Sequence, residues 1–350
     1  MGTQAHRLLS DQEANPGSPA ICQDINTVFI NAGASAPCGP TGENTTYILP
    51  AGAAAPASAV AAGLVPNPST CSADSGQCQV VGTRTGLAPN LATGTMNFTS
   101  DGYFITNGVS AYNSLQVNLR RTAKSFSFLA GYTYSKSLDD SSAYGEQVNP
   151  FNHKLSRALS AFDQTHNFVF SYSYNLPFEK LGGPKRLTAG WQLSGITRFA
   201  TGLPVTLYET DDNSLLGTAN SGPLPIGMDT PLFTGTSIHH LNPRSGGIIA
   251  PIFDSSQFVT EPIGTLGSRR RFFHGPGLND WDMALLKDTR LNETTRLEFR
   301  AEFFNLFNHT QFNAVNGNIS GAGSTSPFGF GNALSTQQAR IGQLSLKLLF

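Results

Sequence analysis

Seven segments of this 350-residue chain alternate apolar and polar residues with a period of two. In 112–121, Leu115, Val117 and Leu119 alternate with Ser114, Gln116, Asn118 and Arg120. In 126–135, Phe126, Phe128, Ala130, Tyr132 and Tyr134 oppose Ser127, Gly131, Thr133 and Ser135. In 167–176, Phe168, Phe170, Tyr172, Tyr174 and Leu176 oppose Ser171, Ser173 and Asn175. In 187–199, Leu187, Ala189, Trp191, Leu193 and Phe199 oppose Thr188, Gln192, Ser194 and Arg198. Three further segments carry Trp281, Met283 and Leu285, then Leu297, Phe299, Ala301 and Phe303, and last Leu344, Leu346, Leu348 and Phe350. Sustained period two is the mark of strands. Strands of about ten residues exceed the usual 5–6 but match the roughly 9–11 that cross a bilayer when tilted.

The connections sharpen this. They alternate: 121–126 short, 137–166 long, 177–186 moderately short, 201–279 very long, 291–294 tight, 305–338 long. An up-and-down transmembrane barrel has this pattern, with long loops outside and short turns in the periplasm. A soluble β-sandwich is the alternative, since its strands also alternate. The charged row Arg296, Glu298, Arg300 and Glu302 suits either. The aromatics near segment ends, Tyr132, Tyr134, Tyr172, Tyr174 and Trp281, suit the girdles of a membrane barrel, and a sandwich gives no reason for one-sided long loops. The expected fold is therefore all-β: an antiparallel up-and-down transmembrane β-barrel segment of about seven strands, incomplete as a barrel, with long extracellular loops. Two regions are expected. Residues 1–111 would hold the end of a strand and a long loop, and 112–350 the barrel strands.

Composition agrees. Charged residues are 13% of the chain, apolar 39% and aromatic 10%, with formal charge -1. Soluble domains average roughly 25% charged. The apolar content argues against disorder, and the neutral balance against a nucleic-acid partner. The longest small-apolar run, 51–65, is too short and weakly apolar for a spanning helix of about 20 residues. No signal peptide follows Met1, so the true start is expected upstream.

Residues 15–102 read as loop, rich in Pro, Gly, Ala, Asn, Ser and Thr. All four cysteines, Cys22, Cys38, Cys71 and Cys78, lie there. Zinc is disfavoured because no CxxC pair occurs and no His stands at ligand spacing. Two disulfides formed in an oxidising compartment are expected, with Cys22–Cys38 and Cys71–Cys78 the local pairing among three connectivities.

No nucleophile elbow, P-loop or HExxH occurs, so no enzyme, catalytic residue, cofactor or metal is expected. His239-His240 lies in a loop without a carboxylate at fixed spacing. Asp139-Asp140 and Asp211-Asp212 could attract calcium but read first as solvated loop acids. Arg269-Arg270-Arg271 could meet an anion at the rim but reads first as a loop charge run. Arg296, Glu298, Arg300 and Glu302 are expected to face the lumen in ion pairs that fix strand register.

Three blocks carry a resemblance. Arg271-Phe272-Phe273-His274-Gly275-Pro276-Gly277-Leu278-Asn279-Asp280-Trp281-Asp282, Arg300-Ala301-Glu302-Phe303-Phe304-Asn305-Leu306-Phe307-Asn308-His309 and Gly131-Tyr132-Thr133-Tyr134-Ser135-Lys136-Ser137 resemble the late barrel of TonB-dependent receptors of the Oar-like kind. Residues 2–9 look like the end of an upward strand. Leu344, Leu346, Leu348 and Phe350 resemble the terminal strand read by the barrel-assembly machinery. The resemblance implies an integral protein of the outer membrane whose intact form takes up a ligand that the sequence does not name. Family members also carry a plug and a barrel of about 22 strands. This chain lacks the plug and the N-terminal strands, and would meet the TonB complex only through that absent plug. The alternatives are a self-assembling porin-like or adhesin-like barrel and a secreted β-sandwich binding module.

Overall fold

A computed structural model describes residues 4–13, 17–38, 46–65, 80–83, 89–90, 95–96, 102–143, 146, 152–209, 213–215, 229–244, 251–319 and 329–350. Its centre is one antiparallel sheet. Eight strands run in chain order: β1 (Gln4–Glu13), β2 (Gly102–Thr122), β3 (Phe126–Asp139), β4 (His166–Asn175), β5 (Trp191–Ala200), β6 (Leu278–Arg290), β7 (Arg296–Phe304) and β8 (Ile341–Leu349). A ninth, the two-residue strand Ala158–Leu159, pairs with β3. Each strand pairs with its sequence neighbour, which is the up-and-down topology. The sheet is not closed: β1 and β8 are its edges, and among the described residues neither has a partner on its outer side.

The connections sort to two ends. The connections β2–β3, β4–β5 and β6–β7 turn at one end; β1–β2, β3–β4, β5–β6 and β7–β8 leave and re-enter the sheet at the other. Local chemistry closes the short turns. Asn292 Oδ1 accepts from the amides of Thr294 and Thr295 at 3.1 and 2.7 Å, an Asx turn that reverses the chain.

Several boundaries differ from the sequence reading. β2 starts at Gly102, so a boundary at 111/112 falls inside a strand. β6 runs from Leu278 to Arg290, beyond the Trp281–Leu285 core of its alternation. β5 starts at Trp191, not at Leu187. Lys185–Thr188 is instead a helical turn behind Pro184, and Gly190, at φ +77°, bends the chain into the strand. The region read as loop also holds two helices, α1 (Pro19–Asn31) and α2 (Ala57–Ala61). Ser18 caps α1 by accepting from the Ile21 amide, and Pro19 fits the first turn, where its missing N–H is not needed.

The long connections carry their own cores. Ile21, Ile25, Leu49, Leu64, Val81 and Leu215 bury one around Cys22 and Cys38, which are bonded with Cα atoms 5.6 Å apart. Asn26 braces that bridge, its Nδ2 donating to Cys38 O at 2.7 Å and its Oδ1 accepting from Cys38 N at 2.9 Å. Cys71 and Cys78 lie outside the described residues. Val205, Leu207, Phe253, Phe258, Phe273 and Phe330 form the second core, with Phe253 edge-on to Phe273 and Phe330 at 5.2 and 5.3 Å.

Candidate functional site

Residues directly opposite in an antiparallel pair share a face of the sheet, so the register tests every alternation against the others. One row reads Thr122, Ser127, Ser173, Ser194, Ala284, Glu302 and Gln343 across β2 to β8. The row beside it, on the other face, reads Phe126, Tyr174, Leu193, Leu285, Ala301 and Leu344 across β3 to β8. Seven separate alternations therefore fall into phase. A slip of one residue in any strand would exchange its faces. The sheet has one apolar face and one polar face.

The apolar face has a measurable height. On β2, Leu115, Val117 and Leu119 lie between Asn113 and Arg121; on β6, Trp281, Met283 and Leu285 lie between Asn279 and Lys287. Each interval is eight residues, about 27 Å along a strand at ~3.4 Å per residue. A tilt of ~40° reduces this to about 21 Å, close to the ~25 Å apolar band of outer-membrane barrels. Among the described residues the face is bare: Leu119 is 60% exposed, Leu346 68% and Phe350 96%. A continuous apolar surface of this extent requires cover.

Amphipathic side chains rim the band. Trp281 stands edge-on to Phe199 and Phe307 at 5.7 and 5.5 Å, while its Nε1 donates to Asn279 Oδ1 at 2.9 Å. Tyr132 OH lies 2.8 Å from His166 Nδ1. At the short-turn end Lys287 folds back, donating to the carbonyls of Ala189 and Asp288, with Nζ 5.7 Å from the Trp191 ring centroid. Rings with one wet end and a lysine that turns its ammonium to the boundary are suited to a membrane interface.

The polar face curves into a trough of about 620 Å³ lined by Arg120, Ser173, Asp282, Arg300 and Glu302 among others. Arg296, Glu298, Arg300 and Glu302 all stand on this face, by register with Leu349, Lys347, Ser345 and Gln343. Arg300 Nε meets Glu302 Oε1 at 2.7 Å within the same strand. Like charges stand opposite each other, Asp288 to Glu298 and Arg290 to Arg296, and Arg296 reaches Asp288 only diagonally, at 3.5 Å. A second cross-strand contact of this row is Gln343 Nε2 donating to Glu302 Oε2, and Glu298 stands directly opposite Lys347.

At the rim where the long connections gather, two acidic and basic runs that read as solvated loop charges are buried together. Arg270 and Arg271 are both fully buried. Arg270 Nη2 donates to Asp139 Oδ1 at 2.8 Å, and Nη1 donates to Ser156 O. Arg271 grips Glu146 with both Nη atoms at 2.8 Å and donates from Nε to Leu159 O at 2.7 Å. Burial and the adjacent Arg271 charge lower Arg270 to about 10, so it stays charged at neutral pH. Asp140 is also buried, and its amide and carboxylate bond Val109. His274 Nε2 lies 2.9 Å from Asp163 Oδ2, whose Oδ1 accepts from the Ser137 amide. The 201–277 connection is thus bound to the end of β3. Sequence reading had both charge runs but no means of pairing them across more than a hundred positions.

Among the described residues His239 lies 4.0 Å from Asp254 and His240 packs on the Phe273 ring. Asp211 and Asp212 lie outside the described residues. No helix among the described residues is long and apolar enough to cross a membrane.

An antiparallel meander with a bare apolar band, an aromatic rim and a polar inner wall defines an integral β-barrel protein of the outer membrane. The outer membrane beta barrel domain family matches residues 1–343, and the chain belongs to that family. No curated protein and no solved structure matches it.

Proposed function

We propose that this chain is the C-terminal wall of a TonB-dependent-receptor-like transporter, whose intact barrel takes up a ligand across the outer membrane. The observation that carries the reading is the sheet with a polar inner wall and two open edges among the described residues. Unpaired backbone groups in lipid cost several kcal/mol each, so further strands complete the wall. Resemblance of 271–282 and 300–309 to the late barrel of Oar-like receptors supports the assignment of those strands. The partners in this reading are outer-membrane lipid on the apolar face, the barrel-assembly machinery at Leu344, Leu346, Leu348 and Phe350, and a plug that would receive energy from the TonB complex. Chemistry on the substrate has no part in it.

The test is the mass of the native protein in the outer-membrane fraction, detected by an antibody against 201–279. A band several times larger than 37.2 kDa supports the reading. A 37.2 kDa chain forming an oligomer that separates only on boiling in detergent overturns it in favour of a self-assembling porin-like barrel.

A further inference from the structure

The inner wall breaks its own pattern at one level. On β7 the residues on the polar face run Arg296, Glu298, Arg300 and Glu302, and the next is Phe304. Its register partner on β8 is Ile341, also apolar. The two are 43% and 44% exposed, so an aromatic ring stands bare where the alternation calls for a polar side chain. Phe304 lines a cavity of about 460 Å³ at the end of the sheet where the long connections leave, a size within the roughly 300–1,000 Å³ of small-molecule sites.

Two buried amides frame that cavity. Asn305, at φ +50° and 8% exposed, turns the chain out of β7. Its Oδ1 accepts from His309 N at 2.9 Å, its Nδ2 donates to His309 O at 2.9 Å, and its own amide donates to Asp282 Oδ1 at 3.0 Å. Gln311, also buried, accepts from the Asn279 amide at 3.1 Å and donates to the Asn279 carbonyl. These side chains spend their hydrogen bonds on holding the backbone. By contrast Asn313, Thr336, Gln337 and Gln338 line the cavity as exposed residues, each offering both a donor and an acceptor. Asp282 and Phe304 line this cavity and the 620 Å³ trough alike, so the two adjoin along the inner wall.

The lining selects a ligand chemistry. Among the described residues no lysine or arginine lines the cavity, while Asp280 and Asp282 do, so an anion meets like charge. An ammonium group only donates and would leave the amide N–H groups unserved. A hydroxyl donates and accepts, which matches the amides, the Thr336 hydroxyl and the carboxylates together. A sugar ring adds an apolar C–H face, suited to an aromatic ring surrounded by polar groups. We propose that this cavity is a binding subsite for a neutral oligosaccharide, with Phe304 as the platform for one sugar ring. The inference rests on the reading above, in which this end of the sheet is the outer mouth of an uptake barrel.

The test is calorimetric titration of maltohexaose, cellohexaose and xylohexaose into the full chain purified from outer membranes in detergent, with spermidine and an end-blocked tetra-alanine peptide as controls. The expected result is saturable binding of at least one hexasaccharide and of neither control. Phe304→Ala weakens it about 10-fold, the size of a lost aromatic contact, and Phe304→Tyr retains it. Gln338→Ala removes an exposed amide and weakens it about 3-fold to 10-fold. Absence of hexasaccharide binding by the unsubstituted chain overturns the proposal, as does binding of spermidine or the peptide in its place. So does saccharide binding that is unchanged in both Phe304→Ala and Gln338→Ala. A large native chain that binds no saccharide overturns the subsite and leaves the uptake reading standing; a 37.2 kDa oligomer that binds one overturns that reading and keeps the subsite.

Discussion

Arg270 Nη2 and Asp139 Oδ1 are 2.8 Å apart, with side-chain exposures of 0% and 2%. Asp139 is the last residue of β3, and Arg270 belongs to the connection that enters β6, so this pair binds an external loop to the rim of the sheet. Breaking a buried pair by removing one partner leaves an uncompensated charge and costs about 3–5 kcal/mol. Arg270→Ala should therefore open the 201–277 connection to proteases while β3 and β4 stay protected in hydrogen exchange. Arg270→Lys should recover only part of the protection, because one ammonium cannot serve Asp139 and Ser156 O as the guanidinium fork does.

Acidity should act on the same clamp through Glu146. Burial pushes its carboxyl up, but the Arg271 hydrogen bond and charge, the Ser142 amide and Arg270 outweigh burial and hold it below the ordinary carboxylate range. A group depressed in the folded state contributes stability above its unfolded value, about 4.3, and loses it as pH falls through the folded value. The protection that Glu146 contributes should be full at neutral pH and decline below about pH 4. In Glu146→Gln that acid-dependent step should be missing.

Glu261 predicts the opposite slope. Its folded value of about 8 lies above its ordinary 4.5, so its contribution is fully present below about 4.5 and is lost as pH rises through about 8. Loosening of the connection should appear over that window, and Glu261→Gln should flatten it.

Loss of the Cys22–Cys38 bridge should loosen α1. The Cys22–Cys38 bridge closes a loop of sequence separation 16, worth roughly 3 kcal/mol in the chain-entropy account. Cys22→Ser with Cys38→Ser should raise hydrogen exchange across Pro19–Asn31, and leave the barrel strands unchanged.

Gly190→Ala should destabilise the β4–β5 end of the sheet by about 1–3 kcal/mol. The residue has φ +77°, and an added Cβ would collide with the Asp288 carbonyl. Chemical unfolding in lipid vesicles measures it.

The strands were legible in the sequence because period two is set by side-chain direction alone, and Phe168, Phe170, Tyr172 and Tyr174 need no partner to display it. Their assembly order was legible from connection length. Three things were not. α1 lay in a Gly/Pro/Ala-rich region, where Ser18-Pro19 was its start signal and no charged face marked its length. The first turn before β5 kept the alternation of Leu187 and Ala189 although Pro184 and Gly190 impose a helical turn and a bend. The buried charges Asp139, Glu146, Arg270 and Arg271 looked like surface residues, since what hides them is the packing of distant loops.

The central claim is that Phe170 and Ser171, neighbours in β4, face lipid and the inner wall respectively. Unfolding free energies in lipid vesicles for Phe170→Arg and Ser171→Arg test it most directly. The account predicts a loss of about 2–4 kcal/mol for Phe170→Arg, the cost of an arginine near the bilayer midplane, and little change for Ser171→Arg. Equal losses, or a larger loss at Ser171, would contradict the orientation of the whole sheet.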